Sequence, residues 1–447
     1  MTEPNWPAIT DEIVRHLQEL IRRETVNPPG NEMLAVDYIA GVLQSEGIEP
    51  VVFESAPKRG NVMARLKGAG EAPPLLLYGH TDVVPAEPQH WTHPPFAGEV
   101  ADGYVWGRGA VDMKGTVAQQ LMVFLLLKRQ GVALKRDVIL AATADEEIGG
   151  EDSCGLLWLV RHHPDLIRAE FGLTESGGYN WDFHGKRLYT IQVAEKGTCW
   201  IKLRAKGRPG HASRPHDDNA VVHLARAVER LASRGLPYHL CDAAAAFLDA
   251  AGAALGGPAG EALRKLKSPE GAAEVFTGDF RQRELYRFLF AMLHNTATPT
   301  GLSAGLKTNV IPSVAEATID GRTLPGFDPE SFLAEVRAVV GDGFEYEVIN
   351  ASPPLQTRHD TPLFALMSEI LKRYDPETHV VPNMMVGATD AKYLARLGVP
   401  SYGFAPIQLP SGLDFDSLFH AHDERAPIAG LGWGARVLYD VVREYCS

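Results

Sequence analysis

Positive charge is the scarcer sign in this sequence. The 447 residues carry 43 Lys and Arg against 56 Asp and Glu, a formal net charge of -13. Nucleic-acid binding draws on clustered Lys and Arg, so the balance argues against a polyanion partner. It leaves room for a local basic pocket that takes a small anion. Long apolar runs are missing too. The longest strongly apolar run, Leu121 to Leu127, is far short of a membrane span. The opening MTEPNWPAITDE has neither a basic stretch nor an apolar one. No secretory signal is visible in it, and a cytoplasmic location is expected. Cysteine is sparse: Cys154, Cys199, Cys241 and Cys446 form no C-x-x-C pair. Free thiols in a reducing compartment are expected, not a zinc knot or a disulfide scaffold. No G-x-x-x-x-G-K-[ST] phosphate loop appears, which argues against a nucleotide enzyme.

What is present suits a globular chain of two domains: 45% hydrophobic and 22% charged residues over this length. Ile9, Ile13, Leu17, Leu20 and Ile21 recur at helical spacing, and Asn27-Pro28-Pro29-Gly30 ends that segment. Leu34, Tyr38 and Val42, four apart, mark a second helix. Short apolar runs follow at Val51–Phe53, Leu75–Tyr78, Val138–Ala142 and Phe171–Leu173, with a helix over Gly115–Arg129 between two of them. Strands alternating with helices predict an α/β sheet covered on both faces. After about residue 190 the texture changes. Strands are expected at Tyr189–Ala194, Cys199–Ala205 and Val314–Asp320, and helices at Asp218–Ser233, Pro329–Val340 and through an Ala/Gly-rich stretch, Ala243–Leu293. The α/β pattern resumes with a helix at Pro362–Tyr374, an apolar run near Ser401–Phe404 and a closing helix from Trp433. The pattern predicts one α/β domain interrupted by a smaller α+β insertion.

Polar clusters sit just past the predicted strands. Gly79-His80-Thr81-Asp82 follows Leu75–Tyr78, Asp145-Glu146-Glu147 follows Leu140–Thr143, and Glu175 follows Phe171–Thr174. Asp112 lies where a loop meets a helix. In open α/β sheets, ligands bind beyond the carboxyl ends of the strands. Imidazole nitrogen and carboxylate oxygen are what zinc takes, and two metals about 3.5–4 Å apart need a shared carboxylate. Asp112 suits that bridge. Asp82, two residues from His80, suits the other nitrogen of its ring. Of Glu146 and Glu147, one can bind metal while the other serves as general base. Each piece alone has an ordinary role, a helix cap or a solvated acidic loop; together and in this order they are far more specific.

The runs LLLYGHTDVVP (75–85), WGRGAVDMKG (106–115), TADEEIGG (143–150) and FHAHDERAP (419–427) resemble those of the M20 metallopeptidases. The resemblance spans nearly the whole chain. It implies a zinc-dependent exopeptidase-like catalytic domain, a mixed sheet flanked by helices, in two parts (1–195 and 325–447). An inserted α+β lid and dimerisation domain would occupy 196–324, enlarged by the helical stretch around 243–293. It implies two Zn2+, with Co2+ or Mn2+ as alternatives. His80 and Glu175 would serve one ion, Glu147 and His420 the other, with Asp112 between them and Glu146 as base. His422, two residues after His420, is the alternative ligand. Gly207-Arg208-Pro209-Gly210-His211-Ala212-Ser213 resembles the lid motif whose histidine stabilises the oxyanion, in its own or the partner subunit. Asn309 and Arg322 resemble the pair that grips a substrate carboxylate, and Gly387 a substrate-contacting loop.

The expected activity is hydrolysis of an amide bond in a dipeptide or at a C-terminal residue of a small substrate. The alternative is deacylation of an N-acyl amino acid at the same site. A homodimer through the lid is expected, with no nucleic-acid or membrane partner. Two other classes compete. Gly301-Leu302-Ser303-Ala304-Gly305 fits the G-x-S-x-G nucleophile elbow, but Pro299 and Pro312 flank it where a strand and a helix are required. A non-catalytic metal-binding protein would need none of Glu146.

Overall fold

The structure is a computed structural model that describes residues 3–150, 152–183, 185–277 and 284–447. Two compact units emerge from one chain. The first comprises Met1–Val193, Thr357–Asn383 and Thr389–Ser447; the second comprises Ala194–Gln356 and Met384–Ala388.

The first unit is built on a large mixed sheet. Its strands run in the order Val51–Ala56, Arg59–Leu66, Arg136–Thr143, Ala72–His80, Phe171–Thr174, Ser401–Gly403 and Lys186–Glu195. The four central ones, Arg136–Thr143 to Ser401–Gly403, are parallel; their neighbours on either side are antiparallel. Central parallel strands are buried on both faces, which explains why LLLY and VILAAT read as continuous apolar runs.

On one face, helices Trp6–Ile21, Lys114–Arg129 and Ile428–Cys446 pack on each other. Lys114–Arg129 is buried on all sides from Lys114 to Leu127, so it carries no polar face. On the other face, Leu156, Leu159, Val160, Tyr393 and Leu394 pack against Leu76, Tyr78, Ile139 and Ala141. The sheet is therefore covered on both sides, as the alternation of strands and helices predicts.

The second unit holds a four-stranded antiparallel sheet in the order Thr296–Ala304, Val314–Thr323, Gly197–Lys206 and Phe344–Ser352. Helices Ala220–Arg234 and Pro329–Val340 cover one face, where Leu224, Leu231, Phe332 and Val336 meet Ile201, Leu203 and Ile319. A capping box of Asp328 and Ser331 starts the second of these helices. The Ala/Gly-rich stretch forms Asp242–Leu255, Gly257–Lys265, Pro269–Val275 and Glu284–Leu293; residues 278–283 of it lie outside the described residues.

Several expectations differ from the structure. The insertion does not end at 324: helix Pro329–Val340 completes its core, and strand Phe344–Ser352 pairs with Gly197–Lys206, carrying the second unit to Gln356. The helix Met33–Ser45 exists, but it buries Ala35, Val36, Ile39 and Leu43. Leu34, Tyr38 and Val42 lie off that face, with Leu34 41% exposed. The last helix begins at Ile428, five residues before Trp433. Around Ser303 a strand runs Thr296–Ala304, pairing Ser303 with Glu316, so no nucleophile elbow forms. All four cysteines are free. No helix among the described residues is long and apolar enough to cross a membrane.

Candidate metal centre

The carboxyl ends of three parallel strands place the site. His80 closes Ala72–His80, Asp145-Glu146-Glu147 follows Thr143, and Glu175 follows Thr174. Asp112 enters on the turn before Lys114–Arg129, where its peptide to Met113 is cis. His420 comes from far along the chain, after the short 3-10 turn Asp416–Leu418.

The first unit brings these residues together. His80 Nε2 lies 3.1 Å from Asp112 Oδ1, 3.7 Å from Glu175 Oε2 and 4.0 Å from Glu146 Oε2. His420 Nε2 lies 3.1 Å from Asp112 Oδ2 and 3.1 Å from Glu147 Oε2. Asp112 thus turns one oxygen toward each imidazole, with Glu175 on one side and Glu147 on the other. Potential ligand atoms of His80, Glu146 and Glu175 all fall within 4.8 Å of one another, as do those of His80, Asp112 and Glu147. His422 turns away and meets Glu87 at 3.1 Å.

Asp82 is buried and does more than the sequence indicates. His80 Nδ1 faces the Asp82 main-chain oxygen at 3.0 Å, closer than the Asp82 carboxylate at 3.4 Å. The carboxylate is occupied elsewhere. It accepts from the amides of Glu146 (3.2 Å) and Glu147 (3.1 Å) and from Asn27 Nδ2 (2.8 Å). One residue therefore orients His80 and sets the backbone of the Glu146-Glu147 pair. Just before that pair, Asp145 holds φ 65°, a left-handed conformation that costs a non-glycine residue free energy. Asn27, Arg59 and the Cys154 amide all bond its carboxylate and hold it there. His420 is likewise left-handed, with φ 59°.

A second brace was not visible in the sequence. Glu424 is fully buried and accepts from the amides of Gly109, Val111 and Asp112 at 3.1, 2.7 and 3.0 Å. Arg108 Nη1 donates to it at 2.7 Å, while Arg108 Nη2 reaches the His420 carbonyl at 3.2 Å. The signal was present only as two charged residues inside the motifs at 106–115 and 419–427.

The electrostatics describe a site short of positive charge. Burial pushes Glu175 well above the usual carboxylate range, helped by repulsion from Asp112. Burial also raises Glu146, and lifts Glu147 to about 7. Burial pushes Asp112 up as well, but hydrogen bonds from His420 and His80 reverse this and hold it below its ordinary value. Burial opposes protonation of His80, yet Glu175, Asp112 and Asp82 outweigh it and keep its pKa well above the ordinary value. Glu147 Oε1 is buried with no hydrogen-bond partner. Four carboxylates around two imidazoles repel one another unless cations share them. Their N/O donor set suits zinc, cobalt or manganese, so the residues fit a pair of divalent ions.

The other expected site residues belong to the second unit. His211 lies on the two-residue strand Gly210–His211, which pairs with Val310–Ile311; the Ala212 amide bonds the Asn309 carbonyl at 3.1 Å. The structure thus brings the His211 and Asn309 segments side by side. Arg322 lies on Val314–Thr323, its guanidinium paired with Asp320 at 2.7 and 3.1 Å. Gly387 falls in the short segment Met384–Ala388.

Comparison with known proteins agrees with this geometry. The sequence profile of peptidase family M20/M25/M40 matches residues 76–444. Human aminoacylase-1 is 28% identical over 439 residues, covering 95% of this chain and 91% of the relative. The M20 family metallo-carboxypeptidase Sso-CP2 of Sulfolobus solfataricus shares the fold, with TM-score 0.72, 20% identity and coverage of 97% and 99% of the two chains. So does the Bacillus subtilis YXEP protein, a dinuclear metal-binding peptidase, with TM-score 0.62, 15% identity and coverage of 98% and 99%. The chain belongs to peptidase family M20/M25/M40 and is a hydrolase acting on amide bonds.

Proposed function

We propose that the enzyme hydrolyses an amide bond in a small substrate bearing a free carboxylate, using two divalent ions. The observation that carries this reading is Asp112, whose two oxygens each lie 3.1 Å from a different imidazole. His80, Glu175 and Asp112 would hold one ion; His420, Glu147 and Asp112 would hold the other. When bound, the ions supply Lewis acidity toward the carbonyl and lower the pKa of water.

The chain's own residues do the rest. Glu146 accepts the proton of the attacking water and returns it to the leaving nitrogen. Its burial, which raises its pKa, suits a group that must both take and give a proton. Asp82 fixes the orientation of His80 and the amides that carry Glu146 and Glu147. His211 donates to the developing oxyanion, in its own chain or a partner's. Asn309 and Arg322 grip the substrate carboxylate, with Arg322 sharing its guanidinium with Asp320. Gly387 lines the path of the substrate.

Dipeptides and C-terminal residues are one substrate class; N-acyl amino acids are the other. The similarity to human aminoacylase-1 along nearly the whole chain favours testing N-acyl amino acids first. Zinc, a cytoplasmic setting and a homodimer complete the proposal.

Replacing Glu146 by Ala tests the mechanism. Turnover is expected to fall by roughly 10²–10⁴-fold or more, with metal content unchanged by elemental analysis. Near-normal turnover in that variant contradicts the assignment of the base.

A further inference from the structure

His211 ends the two-residue strand Gly210–His211 and opens a tight turn. The strand sets Gly210 opposite Ile311 and His211 opposite Val310. Two main-chain bonds then fix the turn. The Ala212 amide donates to the Asn309 carbonyl at 3.1 Å, and the Arg214 amide donates back to the His211 carbonyl at 2.9 Å. Ser213 lies between these two anchors, so its backbone is held on both sides.

That backbone is turned onto the imidazole. The Ser213 amide donates to His211 Nδ1 at 3.2 Å, and the Ser213 hydroxyl lies 2.8 Å from the same nitrogen. A main-chain N–H can only donate. The ring nitrogen it meets must therefore offer a lone pair, and the hydroxyl donates to it as well. A neutral imidazole carries one proton, and the bond made by one nitrogen decides the state of the other. With Nδ1 accepting, the proton belongs to Nε2. The reverse tautomer would set an Nδ1 proton against the Ser213 amide proton.

We propose that Ser213 is a positioning residue that locks His211 in the Nε2–H tautomer, so that the ring presents a donor to the reacting carbonyl oxygen. The inference rests on His211 as the oxyanion donor. It adds which nitrogen carries the proton and what keeps it there. A developing oxyanion is stabilised by donors already aimed at it. A ring free to exchange tautomers would spend part of its time with a bare lone pair toward that oxygen. Ser213 removes that state without touching the substrate.

The test uses the metal-loaded full chain with its histidines labelled with nitrogen-15. Spectra are taken near pH 8.5, about two units above the ordinary histidine value. The His211 signals, identified by their loss in His211→Ala, are expected to show an unprotonated Nδ1 and a protonated Nε2. Turnover is followed on whichever of N-acetyl-methionine and alanyl-alanine is cleaved faster. Ser213→Ala removes the hydroxyl and keeps the amide. Its kcat is expected to fall about three- to tenfold, the scale of one net hydrogen bond, with KM unchanged. Ser213→Thr, which keeps the hydroxyl, is expected to recover most of that loss. His211→Ala alone is expected to lose roughly 10²–10³-fold in kcat. Adding Ser213→Ala to it is expected to change kcat by less than about twofold. An Nδ1–H ring, or the same loss from Ser213→Ala with and without the imidazole, overturns the role of Ser213 and leaves His211 in place. Near-normal turnover of His211→Ala overturns the oxyanion role itself, and this inference with it.

Discussion

Arg108 and Glu424 form a fully buried ion pair at 2.7 Å that joins the two loops presenting Asp112 and His420. Glu424 holds the Asp112 loop by three amides, and Arg108 holds the His420 carbonyl. Conservative loss of such support around a metal site costs about 10–100-fold in metal affinity. Glu424→Gln is therefore expected to weaken divalent-ion binding by that order, with the far-ultraviolet circular dichroism unchanged. Equilibrium dialysis against zinc measures it; unaltered affinity contradicts a role for the brace.

Arg108→Met leaves the Glu424 charge buried without its partner. Breaking a buried pair from one side costs about 3–5 kcal/mol. Urea unfolding of the metal-free variant should show a loss of that order, whereas a loss below about 1 kcal/mol is what an exposed pair would give.

His420 and His422 make a clean contrast. His420 faces Asp112 and Glu147, while His422 faces Glu87. His420→Ala is expected to lose about one bound ion per chain on the two-metal reading. His422→Ala should keep the full complement. Elemental analysis after dialysis distinguishes them, and the reverse pattern would transfer the ligand assignment to His422.

How much of this was legible in the sequence depends on how each residue acts. His80, Glu146, Glu147 and Glu175 stand directly after apolar runs that become parallel strands, so their clustering followed from sheet geometry. Glu424, Asn27 and Arg59 act through backbone amides or a carboxylate tens to hundreds of residues away, and no local pattern marks such contacts. Strand Phe344–Ser352 was missed because it is a half-exposed edge strand without an apolar run. Strand Arg59–Leu66 was missed because Asn61 interrupts it; that side chain is buried and bonded to the Cys154 carbonyl and the Ala144 amide.

Proton release should accompany metal loading. In the metal-free protein, hydrogen bonds to Asp112 and Glu147 raise His420 to about 10, so the ring is protonated at neutral pH. Ligation requires the neutral ring, so binding near pH 7 releases protons and weakens as pH falls. The metal-free fold shows the opposite sign. The His420 contribution is fully present below the ordinary value of 6.5 and is lost as pH rises through about 10. With the side chain 55% exposed, screening keeps that contribution small. Calorimetric titration in buffers of different ionisation enthalpy counts the protons; none released at pH 7 contradicts the charge assignment.

The central claim is that the cluster around Asp112 hydrolyses amides through bound divalent ions. The most direct measurement strips the purified enzyme with a chelator, restores it with zinc, cobalt or manganese, and follows amine release from N-acyl amino acids and dipeptides. Activity is expected to vanish on stripping and return as the second equivalent of metal is added. Full activity in the stripped enzyme, or no release from either class after restoration, contradicts it.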